Sequence, residues 1–235
     1  MEIIVLRISN YKEKDGIVEA VSETETLSFL VRGIFDPKSK NAFLNNPLTI
    51  ADIELSEGKF KYPTLKSSYL ISSPINPQSD LRYMGSLMMI IESTNYLLSE
   101  EEKHVIFPLL KGTIDELKTN DNPLKVVISY LAKILKISGY DFEINECIMC
   151  GNRKNIVTFS FTDGGFICSN CYTPDIPKLF NKNQMLAIRE SFAANSFSVS
   201  NTEIKDDDLI FLLNKFVEFI YDSYGYKMKS IDLFK

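Results

Sequence analysis

The sequence lacks most of the side chains on which common enzyme classes depend. It has one histidine, His104, and no tryptophan in 235 residues. A site built from three histidine ligands cannot be assembled within such a chain. A Ser-His-Asp or Cys-His catalytic group would have to use His104 alone. We interpret His104, which follows an acidic run near a predicted helix start, as a surface or partly buried side chain.

Phosphate-binding and hydrolase motifs are also missing. The chain contains no G-x-x-x-x-G-K-[ST], no G-x-G-x-x-G and no G-x-S-x-G pattern. ATP hydrolysis by a P-loop, Rossmann-type cofactor binding and a nucleophile elbow are therefore not expected. We predict a protein that is not an enzyme. The alternative is a hydrolase whose catalytic residues are scattered along the chain.

Charge of positive sign and long apolar runs are scarce as well. The net charge is −5, whereas proteins that bind nucleic acid through bulk electrostatics are usually basic. Any nucleic-acid site must therefore be a local patch. Apolar runs such as 87–91 are far below the ~20 residues of a membrane span, and residues 1–6 do not resemble a signal peptide. We expect a cytoplasmic protein of globular composition.

The first 78 residues have the pattern of a small β-barrel. Five short runs are rich in β-branched or alternating apolar residues: 2–8, 16–22, 27–35, 49–55 and 66–71. Gly33 interrupts the third run and predicts a bulge or bend there. Five such strands are typical of the oligonucleotide/oligosaccharide-binding (OB) fold. The stretch 73–79 is rich in turn-forming residues and predicts a linker.

Helical spacing begins after this linker. We predict a helix from a cap at Ser79 or Asp80 to about 98, one over 105–117, and one from Asn122 to Gly139. Two more are predicted, one over 181–194 with Asn181 as its cap and one from about 206 to 225. The methionine and tyrosine stripe of the first helix is expected to be bundle core rather than a partner groove. Its members are Tyr83, Met84, Met88 and Met89.

Four cysteines interrupt this helical region with the spacing of a metal site. They form two C-x2-C pairs, Cys147 with Cys150 and Cys168 with Cys171, joined by a segment that predicts a hairpin. This spacing matches four-cysteine zinc sites, whose closed coordination makes them structural. A redox pair or an inert thiol set is the alternative. The resulting fold is α+β and multidomain. Its predicted parts are an OB barrel (1–78), an α-helical bundle (79–144 and 181–235) and a zinc module (145–180).

Basic residues of the barrel are candidates for DNA contacts. Aromatic residues lie between several of them, as in proteins that hold single strands by stacking and phosphate contacts. The alternative is a solvated barrel surface with aromatic residues in its core. The candidate basic residues are Arg7, Lys12, Arg32, Lys38, Lys40, Lys59, Lys61 and Lys66, and the aromatic ones are Phe35, Phe43, Phe60, Tyr62 and Tyr69.

In combination, these segments resemble the bacterial recombination mediator RecO. The resemblance covers nearly the whole chain in the same order. It rests on residues 6–21 (LRISNYKEKDGIVEAV), residues 30–40 (LVRGIFDPKSK), the cysteine segment 147–171 and the terminal YGYKMKSIDLF. It implies a non-enzymatic DNA repair protein, associated with the nucleoid, that binds single- and double-stranded DNA and anneals complementary strands.

The resemblance also implies protein partners. Members of this family act with RecR to load the recombinase RecA, and some bind the acidic tail of the single-stranded DNA-binding protein. For that tail, the third predicted helix offers Lys125, Lys133 and Lys136 beside an apolar side that includes Leu131, Ile134 and Leu135. The alternative is a plain amphipathic helix. A different function for the whole chain, a zinc-stapled interaction adaptor with little DNA binding, also fits the acidic net charge.

Overall fold

A computed structural model describes residues 1–56, 61–74, 80–99, 103–176, 180–193 and 199–234. Backbone contacts divide the chain into two compact units, Met1–Asn120 and Asp121–Lys235. The boundaries predicted at residues 78, 144 and 180 follow element type and motif instead, and they stay predictions.

The first unit contains the predicted barrel. Its strands close in the order β1-β2-β3-β5-β4, with one parallel pairing, of Leu30 with Thr64, between β3 and β5. The other pairings are antiparallel. The strands are β1 (Glu2–Asn10), β2 (Gly16–Val21), β3 (Thr26–Val31), β4 (Ile50–Ser56) and β5 (Thr64–Ser72). The prediction of a five-stranded barrel is confirmed.

The barrel core is aliphatic, because alternate strand residues point inward. Ile3, Val5 and Val18 are fully buried there, and Phe29 is the largest buried side chain of the cluster. The third predicted strand was too long: β3 ends at Val31. Gly33 lies in the following turn with φ +66°, so it shapes a turn rather than a bulge inside a strand.

Two helices complete the first unit. Helix α1 (Leu81–Leu97) is capped by Asp80, whose carboxylate accepts a hydrogen bond from the Tyr83 backbone N–H; α2 is Phe107–Thr119. Both contact β1. The core assignment of the methionine stripe was partly wrong. Met89 is fully buried, but Met84 and Met88 are 37% and 52% exposed, because they lie on the solvent-facing side of α1.

The second unit is built around α3 (Pro123–Ile137). Helices α4 (Lys182–Ala193) and α5 (Asp206–Tyr224) both contact it, which leaves nearly all of α3 buried. The predicted caps are present: Asn122 accepts from Leu124 N–H, and Asn181 exchanges hydrogen bonds with Gln184.

A small sheet lies between α3 and α4 in sequence. Its strands are β6 (Glu143–Cys147), β7 (Ile156–Ser160) and β8 (Gly165–Cys168), in the order β6-β8-β7. Strands β7 and β8 form the hairpin predicted between the cysteine pairs. Phe142 and Phe161, which flank strands of this sheet, pack edge to face against phenylalanines of α4 and α5. No helix in the described ranges has the length and apolar character needed to cross a membrane.

Candidate metal centre and candidate nucleic-acid surface

The four cysteines converge on one point at the end of the small sheet. Their sulfur atoms all lie within 4.8 Å of one another, and the Sγ atoms of Cys150 and Cys168 are 3.6 Å apart. Four sulfurs around one zinc at bonds of ~2.3 Å would be about 3.8 Å apart by tetrahedral geometry. The cluster can therefore hold a metal ion, and its dimensions are compatible with zinc.

Local backbone geometry aims the thiols inward. Cys147 and Cys168 end β6 and β8, and each following turn closes by a hydrogen bond back to the first cysteine: Gly151 N–H to Cys147 O, and Cys171 N–H to Cys168 O. Gly151 has φ +70°, a conformation that favours glycine. The two C-x2-C segments are thus paired turns extending from neighbouring strands.

Gly165 allows the two cysteine-bearing strands to approach. It pairs with Glu143 of β6, and a Cβ atom at this position would lie 2.5 Å from the Glu143 carbonyl oxygen. Any side chain would therefore push β6 away from β8. Since Cys147 and Cys168 lie on these strands, the close approach at Gly165 helps to bring the four sulfurs together.

The thiol electrostatics also fit a cation. Burial alone would raise the pKa of Cys147. Hydrogen bonds from the backbone N–H groups of Cys168, Met149 and Cys150 outweigh it and lower this pKa to about 6. The pKa of Cys171 instead rises to about 12, chiefly through its hydrogen bond with Cys150. One thiolate thus forms readily and makes the next harder to form. A bound cation would offset the repulsion between neighbouring thiolates.

Arg189 connects this module to the helices. Its Nε donates to the carbonyl oxygen of Ile144 at 2.9 Å, and its guanidinium carbon lies 5.2 Å from the centroid of the Phe166 ring. One α4 side chain thereby holds both β6 and β8. The metal module is packed onto the helical part of its own unit.

At one end of the barrel, three basic segments meet. The β1–β2 turn (11–15) contacts the β3–β4 connection (32–40): Gly33 N–H donates to Asp15, and Phe35 N–H donates to the Lys14 carbonyl. The start of β5 lies beside the end of β3, because Leu30 N–H donates to Pro63 O. Residues distant in sequence thus form one surface, which we call the basic end.

The basic end is positive although the whole chain is acidic. Its segments 11–15, 32–40 and 61–64 contain six basic and three acidic side chains. Two of these acids already have local partners. Asp15 accepts a hydrogen bond from Gly33 N–H. Asp36 accepts hydrogen bonds from the backbone N–H of Lys38, which is the main cause of the lowered pKa of Asp36, and from the Lys14 ammonium. Five predicted DNA-binding residues lie here, all exposed: Lys12, Arg32, Lys38, Lys40 and Lys61.

The other predicted contacts are placed differently. Arg7 is exposed on β1, opposite Glu19 of β2. Lys66 on β5 forms an exposed ion pair with Glu54, 3.0 Å between Nζ and Oε1. Lys59, like Phe60, lies outside the described residues.

Of the predicted aromatic platforms, some are available for stacking and others are not. Phe35 and Phe43 pack against the barrel core, as the alternative interpretation held. Tyr69 is 69% exposed on β5, and the ammonium of Lys61 lies 5.3 Å from the Tyr62 ring centroid.

Sequence reasoning missed two residues of the basic end. Tyr11 is 51% exposed, and the ammonium of Lys12 lies 5.7 Å from its ring centroid. Lys14 sits in the same turn and pairs with Asp36 at 3.2 Å. Their place between the first two predicted strands was the available signal, because short connections between strands are solvent-exposed.

The three lysines of α3 do not form one rim. Lys133 is only 5% exposed, and burial lowers its pKa to about 8. Lys125 donates to the Thr202 carbonyl, and Lys136 lies 3.8 Å from Asp141. The apolar side with Leu131, Ile134 and Leu135 is fully buried against the helices of the unit. His104 is half-buried in a 3-10 turn.

Comparison with known proteins agrees with this architecture. A family model described as Recombination protein O C terminal matches residues 78–227. A protein named DNA repair protein RecO from Thermoanaerobacter sp. (strain X514) is 30% identical over 177 residues, covering 72% of this chain and 69% of that protein. Another of that name, from Bacillus cereus (strain B4264), is 27% identical over 240 residues, covering 98% and 94%. The chain therefore belongs to the RecO family of DNA repair proteins.

Proposed function

We propose that this protein is a non-enzymatic recombination mediator that binds single- and double-stranded DNA through the basic end of its barrel and anneals complementary strands. The observation that carries the proposal is the meeting of three basic segments on a small closed barrel in a chain whose net charge is −5. A local positive surface of this kind contacts phosphates without reading sequence.

The exposed tyrosines favour single strands as one ligand. Tyr11 and Tyr69 present ring surface to solvent, and Tyr62 lies beside Lys61. Bases stack on such rings while lysines follow the backbone, an arrangement that tolerates any sequence. Duplex DNA would use the phosphate contacts alone.

The metal ion in this proposal is one structural zinc held by Cys147, Cys150, Cys168 and Cys171. Four sulfur ligands leave no coordination position for water, so the ion would hold β6 and β8 together and take no part in a reaction. Its support is the distance between the sulfurs and the closed turns around them.

The partners in this proposal are those of a mediator: RecR, the acidic tail of the single-stranded DNA-binding protein and, indirectly, RecA, all in the cytoplasm and nucleoid. The support is family membership. For the tail, Lys125 and Lys136 are the candidates because both are partly exposed, whereas Lys133 is buried beside them.

DNA affinity after charge reversal tests the central proposal. Fluorescence anisotropy of a labelled oligonucleotide is measured for the wild type and for Lys38→Glu with Lys40→Glu. Lys182→Glu with Lys205→Glu, exposed lysines of the second unit, is the charge-matched control. We expect the barrel variant to lose roughly tenfold in affinity and its salt dependence to weaken by about two counterions. Equal losses in both variants would move the site off the basic end.

A second candidate function, an interaction adaptor with little DNA binding, is favoured by one observation. Leu81, Met84 and Met88 form an exposed apolar stripe on α1, and methionine-rich surfaces adapt to several partners. An adaptor would leave the annealing rate of complementary strands unchanged, whereas the mediator accelerates it.

A further inference from the structure

A cavity of about 350 Å³ opens on the second unit beside the metal module. Among the described residues, three separate parts of the chain line it: the end of β7 with the β7–β8 turn, residues 175, 176 and 180, and one side of α5. Its size is near the lower end for ligand pockets, which run from ~300 to 1,000 Å³. It fits one or two side chains better than a large cofactor.

Phenylalanine rings form the floor of this cavity. Phe161 from the β7–β8 turn and Phe219 from α5 stack with centroids 5.1 Å apart and planes 24° apart. Both are half-buried and line the cavity. The electron-rich face of such a ring attracts a cation.

The rim has the opposite charge to a DNA-binding surface. Asp163, Asp175, Glu218 and Asp222 line the cavity, and Lys215 is the only basic residue among its described lining residues. Lys215 is already neutralised by Glu218, 2.6 Å away. Within the described residues, Asp222 makes no hydrogen bond or ion pair. The rim therefore retains negative charge and repels phosphates and acidic peptides.

Helix α5 itself contains an ammonium group that contacts both an aromatic ring and a carboxylate. The ammonium of Lys215 lies 5.5 Å from the centroid of the Phe211 ring while its Nζ pairs with Glu218. A cation held between a ring and a carboxylate is thus already present on α5, about one turn from Phe219 and two turns from Asp222.

We propose that this cavity binds an arginine side chain from a basic peptide segment of a partner protein. A guanidinium stacks on an aromatic face and donates two parallel hydrogen bonds to a carboxylate, which matches a phenylalanine floor with carboxylates at its edge. The opening to solvent lets the peptide backbone pass outside while the side chain enters. The inference does not rest on DNA binding.

Peptide titration of the full-length, metal-loaded protein tests the proposal. The probe is a fluorescein-labelled peptide with three arginines separated by glycines, and its matched control carries citrulline, which keeps the shape and removes the charge. Anisotropy is measured for the wild type, for Glu218→Gln with Asp222→Asn, and for Glu23→Gln with Glu25→Gln, exposed acids of the first unit.

We expect the arginine peptide to bind and the citrulline peptide not to bind. The pocket variant should lose about tenfold in affinity, the worth of one charge-assisted hydrogen bond, and the control variant less than about twofold. Equal losses in both variants, or no binding of the arginine peptide to the wild type, overturn the proposal. Displacement of the peptide by an equal concentration of spermidine also overturns it, because the site would then take polyamines. Amide NMR shifts at 218–222 in folded variants locate the contact independently.

Discussion

The barrel and the metal module are both small sheets, but different forces hold them together. The barrel closes on itself and buries an aliphatic core, in which Phe29 is the one aromatic residue among the described residues that are fully buried. The module has three strands of four or five residues in an open sheet. Sheets that short bury too little to be stable alone. Aromatic contacts hold the module to its helices, and a metal bound by the four cysteines would stabilise it further.

Removing one cysteine should have the largest effect on the metal module and leave the barrel unchanged. Cys150→Ser leaves three sulfurs, and four-cysteine sites contribute on the order of 10 kcal/mol in small finger peptides. We expect loss of the metal and fast hydrogen exchange over 143–171, with protection over 2–56 unchanged. Elemental analysis and exchange mass spectrometry measure both.

Ser169→Ala is the matched control for that experiment, since Ser169 is exposed in the second cysteine turn and is not a ligand. It should keep the metal. A wild-type protein purified under reducing conditions without chelator that contains no metal would contradict the assignment.

The reverse experiment breaks the barrel and spares the module. Phe29 is fully buried in the aliphatic core, so Phe29→Ala should reduce the free energy of unfolding of the first unit by ~3–5 kcal/mol. Metal content should not change. Tyr69→Ala, at a 69% exposed position of the same barrel, should cost less than about 0.5 kcal/mol in denaturant titrations. Metal loss in the Phe29 variant would show that the regions fold as one.

Two adjacent glycines of the metal module are needed for different reasons: Gly165 for close contact between strands and Gly164 for its positive φ angle. Gly165→Ala places a methyl group against the Glu143 carbonyl and should destabilise the module by about 3 kcal/mol and weaken metal binding. Gly164 has φ +89° but open space around it, so Gly164→Ala should cost only about 1–2 kcal/mol. Thermal unfolding and competition with a chelator rank the two variants. The opposite ranking would contradict the strand pairing.

The smallest expected effect concerns Glu190 of α4. Burial would raise its pKa, but hydrogen bonds from Ser200 Oγ and the Thr202 N–H outweigh it and lower the pKa. A lowered pKa means that the ionised form stabilises the fold above the unfolded-state pKa, and this is lost as pH falls through the folded-state value. Glu190→Gln should cost about 1 kcal/mol at pH 7. The difference should vanish in acid; a constant difference would reject the charged hydrogen bonds.

Short-range features of this molecule could be predicted from sequence. The five strands follow from alternation, the caps at Asp80, Asn122 and Asn181 from hydrogen-bonding side chains at helix starts, and the cysteine cluster from its spacing. Each depends on residues within a few positions of one another. The strands, helix caps and cysteine cluster could therefore be predicted, whereas their packing against one another could not.

Features that depend on long-range packing could not be predicted from the sequence. Lys133 was expected on a helix rim, yet α4 and α5 both cover α3 and bury it. Met84 and Met88 are as apolar as core residues, but they lie on the exposed side of α1. The basic end forms because turns 11–15 and 32–40 meet through hydrogen bonds of Asp15 and Lys14, a contact that no local pattern shows.

Strand annealing tests the central claim most directly. Two complementary oligonucleotides carrying donor and acceptor dyes are mixed with metal-loaded protein, and the rise of energy transfer reports duplex formation. The account predicts that the wild type and Lys182→Glu with Lys205→Glu accelerate annealing, that Lys38→Glu with Lys40→Glu does so much less, and that added salt suppresses the effect. An annealing rate for the wild type equal to the spontaneous rate at low salt would contradict it.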